Sequence, residues 1–473
     1  MNILLVAMLL AISGGVVWLK PAEAPGALVI CAAASAPTLF LLARAGQEKV
    51  FLLRLFLMAL MVRIIIATII FSAGLEVFFG GDANTYDDYG QSLVQSWYGN
   101  EFHTERYENF VASGASAWGM LYIVAVVYRL IGTNMFAIQL LNTAIGSATA
   151  VVVYYSTQTL FSNSRVSKLA AILVAFFPSL ILWSSQALKD AVIILVLALA
   201  ILATLRLMEK ITISYLLVLA VCLLSLLTLR FYIFYMMAAA VAGSFVVGLK
   251  TLNAQGFLQR FVAVGLIGVA FTWFGVLRYA QVQFDRYANL ETLQRSRLDQ
   301  ASAGSGFGKD VDVGTAEGAL SILPVGLVYL LFAPFPWQFN TLRQSITLPE
   351  MIVWWCAFPM LVLGLWYSLK YRLRNVAPIV IFTTMLTVAY SLFQGNVGTA
   401  YRQRSQLLVF YFIFVAVGTI IMKERAEDRR RRQQIAKQEL AELQAARVLA
   451  RRKAAELRKS QTAVRTKEEE FVG

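Results

Sequence analysis

An all-α bundle of about twelve membrane-crossing helices is the fold this sequence predicts. Three observations predict it. Hydrophobic residues make up 59% of the 473 positions and charged ones only 14%, a balance that a soluble domain of this length does not need. Apolar stretches of roughly 17–25 residues recur with few internal charges, the length at which a helix crosses a bilayer. Lys and Arg gather in alternate connections, as they do when those connections share the cytoplasmic face.

In chain order, spans are expected at residues 2–19, 26–43, 50–73, 135–158, 167–184, 190–206, 212–228, 231–249, 258–278, 350–369, 376–395 and 406–422. Arg44, Lys49 and Arg54 lie around the second connection, and Arg165 and Lys168 follow the fourth span. Arg206 and Lys210, then Lys250, then Lys370, Arg372 and Arg374 follow later spans. Placing all of them inside puts both termini in the cytoplasm, provided the short apolar stretches 117–131 and 320–333 lie at the interface or re-enter. The chain then divides into an N-terminal hairpin (1–49), a membrane core (50–422) and a charged helical tail (423–473). Ala22-Glu23-Ala24 has the small-residue look of a secretory cleavage site, but Pro25 and the lack of an early basic residue favour a retained span.

The formal charge is +14, of which the tail carries fifteen Lys or Arg against nine Asp or Glu. Interleaved acids argue against nucleic acid as its partner. Good helix formers over 429–459 and a thin stripe of Leu440, Leu443, Val448 and Leu457 predict a solvated cytoplasmic helix, suited to anionic lipid or another protein chain. Cys31, Cys222 and Cys356 sit in apolar runs without metal-ligand spacing. The single histidine, His103, rules out a multi-histidine centre; beside Glu101 and Glu105 on a polar loop it reads as solvated.

The candidate chemistry lies in the outer connections. Asp82 opens the polar run Asp82-Ala83-Asn84-Thr85-Tyr86-Asp87-Asp88-Tyr89 directly after a span. A carboxylate placed against the bilayer has a functional reading by default, here a base for an acceptor hydroxyl; its structural alternative is a helix cap after Gly80-Gly81. Tyr86, one helical turn on, shares its side of a short surface helix. Lys189-Asp190 starts the sixth span and offers a second acid, or simply a helix start favoured by the macrodipole. Arg402 and Arg404, with Arg230, break the charge rule by standing on the outer side, where guanidinium groups meet lipid phosphate or snorkel to headgroups. The polar segment 281–318, centred on Ala301-Ser302-Ala303-Gly304-Ser305-Gly306, predicts a mobile insert or a lid.

The order of these elements resembles the integral-membrane glycosyltransferases of the GT-C fold, such as protein mannosyltransferases, aminoarabinose transferases and oligosaccharyltransferases. The motifs that carry the likeness are Gly81-Asp82-Ala83 with Tyr86, Leu130-Ile131-Gly132-Thr133-Asn134, and Phe176-Phe177-Pro178-Ser179-Leu180 followed by Asp190. A late outer loop and an arginine before the last span complete it. The resemblance implies a polyprenyl-phosphate-linked sugar donor, Asp82 as base, Asp190 as a supporting acid or a ligand for a divalent metal, and Arg402 and Arg404 as phosphate contacts. It further implies transfer to an envelope glycan, lipid or protein on the periplasmic face of the inner membrane. Two spans precede the family core, and no acceptor-reading motif is recognisable. An O-antigen polymerase or ligase would share the spans and outer arginines but not need Asp82. A flippase or transporter would show charges in mid-span and related halves.

Overall fold

The computed structural model describes residues 2–79, 81–112, 118–248, 290–302, 305–308, 311–338 and 342–472, with 265 and 278 besides. Among the described residues every regular element is helical, and Gly306 and Asn396 form an isolated bridge. The expected span at 258–278 lies almost wholly outside the described residues, and Lys250 and all of 279–289 lie outside them too.

Apolar length sets the helix boundaries. Helices α1 (Asn2–Leu19) and α2 (Ala24–Ala43) form the N-terminal hairpin, followed by α3 (Lys49–Ser72). A short α4 (Glu76–Phe79) leads into α5 (Asp82–Trp97), α6 (Glu101–Ala112) and α7 (Trp118–Ile131). Next come α8 (Met135–Phe161), α9 (Ser164–Phe176), α10 (Pro178–Ser184), α11 (Asp190–Glu209), α12 (Ile213–Leu229) and α13 (Phe231–Gly248). The late elements are α14 (Leu290–Ala301), α15 (Ala316–Phe332), α16 (Leu342–Phe393) and α17 (Val397–Val472). Among the described residues six helices are long and apolar enough to cross a membrane, or seven with the bent α9–α10 pair. Shorter apolar helices of 10–17 residues occur at α1, α7, α12, α13 and α15. Within α16, Arg372 leaves helical geometry (φ −137°, ψ 24°), so the element is two helices joined at a kink, at the boundary between two of the expected spans.

Local sequence explains the joints. Asn134 and Asn163 cap α8 and α9 through their side-chain oxygens, Asn134 accepting from Ala137 N at 3.1 Å and Asn163 from Arg165 N at 3.0 Å. Pro178 cannot donate to the turn before it, and α9 and α10 meet at 55°. Carbonyls freed at such a break must be satisfied at membrane depth. Arg63, buried in the middle of α3, donates to Ala175 O at 2.7 Å, Val174 O at 3.4 Å and Ser184 Oγ at 2.8 Å. Gly146 makes the approach possible, since a Cβ there would stand 2.5 Å from the Ser184 side chain. Asn142 of α8 then holds the connection after α10, donating to Gln186 O and Leu188 O at 2.7 Å each. The α10–α11 turn is thereby fixed, and with it the start of α11.

Basic connections collect at the end of the bundle away from that turn. Lys168 pairs with Glu48 at 2.9 Å, Arg372 donates to Leu160 O at 3.2 Å, and Arg206 pairs with Glu209 at the far end of α11. Gly364 of α16 and Gly418 of α17 permit close backbone contact, a Cβ at Gly418 meeting Met360 O at 2.0 Å.

The chain separates into two units, Met1–Gly418 and Thr419–Gly473. The second unit is helical, with Leu440, Leu443, Val448 and Leu449 all more than half exposed. Within the first, the segment expected to be mobile contains the helix α14 and ordered contacts: Phe307 N donates to Gly395 O at 2.8 Å and Val397 N to Ser305 O at 3.1 Å. Buried Arg297 donates to Gly308 O at 3.0 Å, which ties the segment to itself. Residues 303–304 and 309–310 of that segment are outside the described set.

Candidate functional site

Four residues distant in sequence converge where α5, α11, α13 and α17 begin. Asp82 is the first residue of α5, after Gly81, and its carboxylate makes no capping bond to that helix. Instead Asp82 Oδ2 accepts from Arg402 Nη1 at 2.8 Å. Asp190 opens α11 and is fully buried; its Oδ2 accepts from Arg402 Nε at 2.7 Å and lies 2.6 Å from Arg402 Nη2. Asp190 Oδ1 accepts from Gln406 Nε2 at 3.1 Å and faces Arg230 Nη2 at 3.6 Å. Arg402 is thus clamped between a buried carboxylate and one whose side chain is 53% exposed.

Neutral groups complete the cluster. Arg230 Nη1 donates to Tyr390 Oη at 3.0 Å and Tyr232 Oη at 3.1 Å, and Tyr390 Oη donates to Gln406 Oε1 at 2.7 Å. With the Arg230–Asp190 ion contact these bonds close a ring, Asp190–Gln406–Tyr390–Arg230, and donors face both oxygens of the Asp190 carboxylate. So placed, the carboxylate fixes the direction of two guanidinium groups. Lys189 lies over the Tyr86 ring at 5.9 Å, and burial together with the nearby Arg230 charge pushes its ammonium down to about 7. Tyr86 is buried beneath it, and its hydroxyl is raised by burial and by the Asp82 carboxylate. The Trp183 ring backs Arg402 at 5.8 Å.

Of the sequence-predicted residues, Asp82, Asp190, Arg230 and Arg402 meet, and Tyr86 and Lys189 lie beside them. Arg404 does not join. It is buried and turned to the end of α15, donating to Ala333 O at 3.0 Å and Leu331 O at 3.1 Å, with Nη2 2.9 Å from Met351 Sδ. Two residues on a helix differ by about 200° in direction, so Arg402 and Arg404 cannot face one ligand. Arg404 neutralises the open carbonyl end of α15, which Trp354 also caps through Leu331 O at 2.6 Å. Accordingly Arg404→Ala should cost about 1–3 kcal/mol of stability by stranding those carbonyls, while donor affinity stays within about twofold of wild type. Thermal melting in detergent and a donor titration check the two parts.

The other outer acids have partners of their own. Asp87 accepts from Tyr128 and Asp88 pairs with Arg106, which fastens α5 to α7 and α6. His103 Nδ1 faces Ser92 Oγ at 3.3 Å within the same clasp. Arg63 is a charge in mid-span, but it serves backbone carbonyls of the α9–α10 break. Gln406, Tyr390 and Tyr232 escaped sequence reading; only Gln406 carried a signal, one helical turn after Arg402. Among the described residues no group of three His, Cys, Asp or Glu side chains is placed to hold a metal ion. Arg402 stands between the two carboxylates where a bridging cation would sit, so this donor set does not fit one, and the positive charge at the centre comes from arginine.

Residues 116–274, about a third of the chain, match the family model described as dolichyl-phosphate-mannose-protein mannosyltransferase. The match contains Lys189, Asp190 and Arg230, and Asp82 and Arg402 lie outside it. No curated protein matches. Among solved structures, the chain is similar to the archaeal oligosaccharyltransferase AglB from Archaeoglobus fulgidus in complex with an inhibitory peptide and a dolichol-phosphate, at 14% identity and a TM-score of 0.40, over 66% of this chain and 43% of that one. It is likewise similar to the Archaeoglobus fulgidus oligosaccharyltransferase in the apo form, at 13% identity and a TM-score of 0.42, over 80% of this chain and 52% of that one. The chain spans about half the length of these structures or less. The family match supports the resemblance to integral-membrane glycosyltransferases of the GT-C fold.

Proposed function

We propose that the chain is a membrane glycosyltransferase that moves a sugar from a polyprenyl-phosphate donor to a hydroxyl of an envelope glycan, lipid or protein acceptor. The observation that carries this reading is the meeting of Asp82, Asp190, Arg230 and Arg402 at one end of the bundle. Two guanidinium groups aimed by a buried acid suit a lipid phosphate at headgroup depth. One half-exposed carboxylate beside them suits an acceptor hydroxyl arriving from water. The family match on the intervening helices points the same way.

In this scheme the acceptor O–H gives its proton to the Asp82 carboxylate while its oxygen bonds to the anomeric carbon. The bond from that carbon to the phosphate oxygen breaks, and its electron pair leaves on a lipid phosphate whose charge Arg402 and Arg230 meet. Attack opposite the leaving group inverts the anomeric centre. Lys189 stands beside the cluster, and the Tyr86 and Trp183 rings hold Lys189 and Arg402 in place. No step is routed through a metal.

In this reading the basic connections at the other end face the cytoplasm, as do both termini, and the cluster faces the periplasmic or extracellular side of the cell membrane. The full expected complement is about twelve spans, counting α1, α12, α13, the two halves of α16 and 258–278, with α7 and α15 at the interface. The charged helix after residue 423 is available to a protein partner or to anionic lipid. Kinetics of Arg402→Ala test the phosphate assignment. Donor KM should rise at least about tenfold and turnover should fall as well, since the contact strengthens as charge develops on the leaving oxygen. Unchanged donor KM in folded protein would remove Arg402 from the phosphate site.

A further inference from the structure

Arg402 has a committed side and an open side. Its Nε is spent on the fully buried Asp190, and Nη2 touches the same oxygen at 2.6 Å as an ion contact. Yet Nη2, itself buried, hydrogen-bonds to no acceptor among the described residues. Its remaining edge, Nη1, is held by Asp82, which is 53% exposed and enters from a different helix. The guanidinium therefore offers two neighbouring N–H edges, one covered by a carboxylate at the cluster's exposed rim and one without an aligned partner. That is the fork a phosphate takes in bidentate fashion, with oxygens at about 2.7–2.9 Å.

We propose that Asp82 is a stand-in anion, occupying the donor-phosphate position on Arg402 until the lipid phosphate displaces it. The proposal rests on the glycosyltransferase reading and adds an order to it. While its Oδ2 accepts from Arg402 Nη1, that oxygen is committed and is not presented to an acceptor hydroxyl. The donor phosphate takes Nη1 and Nη2, and Asp82 swings free beside the anomeric carbon, now ready for the acceptor proton. Activation of the acceptor thus waits for the donor, which suppresses proton abstraction at an empty site. After transfer, Asp82 releases the proton to water, returns to Arg402 as a carboxylate and competes the lipid phosphate off. Asp190 stays in place throughout, since it is buried on the far side of the guanidinium and is held by Arg402 Nε and Gln406.

Competition has an unusual signature: removing the catalytic acid should tighten donor binding. The test uses full-length protein in nanodiscs, with a short-chain prenyl monophosphate as probe and the matching uncharged prenol as control. Wild type should bind the phosphate more tightly than the prenol, and Arg402→Ala should abolish the difference. Asp82→Asn and Asp82→Ala should each tighten phosphate binding by roughly twofold to fivefold, the scale of a partly exposed ion pair removed from competition, with prenol binding unchanged. Asp88→Asn, which removes a nearby charge paired elsewhere, should bind as wild type does. Phosphate binding that depends on Arg402 but is unchanged or weakened in both Asp82 variants overturns the stand-in role and leaves the phosphate site standing. Wild-type binding no tighter for the phosphate than for the prenol overturns both.

Discussion

Asp82→Asn should leave the fold intact and lower turnover by roughly a hundredfold or more, the usual scale for a missing general base. The fold survives because Asp82 makes no capping bond and its side chain is half exposed at the first position of α5. Asparagine is tolerated at such a position, and Arg402 keeps its bonds to Asp190. Asp87→Asn and Asp88→Asn should be milder, because those acids serve Tyr128 and Arg106. The check is single-turnover transfer by protein whose melting profile matches wild type. Turnover within about threefold of normal, against the loss expected of a base, would move the chemistry to the arginines, as in the polymerase-like alternative.

The second large effect falls on stability. Asp190→Ala removes the anion between Arg402 and Arg230, leaving two guanidinium groups facing each other in a buried setting. Breaking a buried pair from one side costs about 3–5 kcal/mol, so the variant should melt far below wild type in detergent and accumulate poorly. Asp190→Asn keeps the shape and one of the two accepted hydrogen bonds but not the charge, and should fall between. Catalysis is lost in both, since the arginines lose their aim. An Asp190→Ala protein with wild-type melting and impaired transfer would show instead that Asp190 is a reacting group.

Much of the helical layout was legible because apolar length is a strong signal. The expected span at 50–73 is α3 at Lys49–Ser72, and 190–206 begins α11 at the same residue. Asp82, Asp190, Arg230 and Arg402 were legible because each sits where the bilayer or the charge rule disfavours it. The polar network behind them was not. Tyr232, Tyr390 and Asn142 are unremarkable in helical runs, and only tertiary packing gives them work. Arg63 was hidden as a lone charge in an apolar stretch, its purpose set by a proline more than a hundred residues later. Arg402 and Arg404 read alike in sequence, although helical geometry turns them to different neighbours. The segment around α14 read as mobile from its Gly and Ser content, whereas Arg297 and the Gly395–Val397 backbone order part of it.

The central claim is that this cluster transfers sugar from a lipid phosphate. The most direct measurement is to reconstitute the purified chain in proteoliposomes with a polyprenyl-phosphate sugar labelled in both sugar and lipid. The claim predicts matched amounts of glycosylated acceptor, with an inverted anomeric centre, and of sugar-free polyprenyl phosphate, both lost together in Asp82→Asn. Labelled lipid that crosses the bilayer with its sugar still attached, or transfer that proceeds unchanged without Asp82, would contradict it.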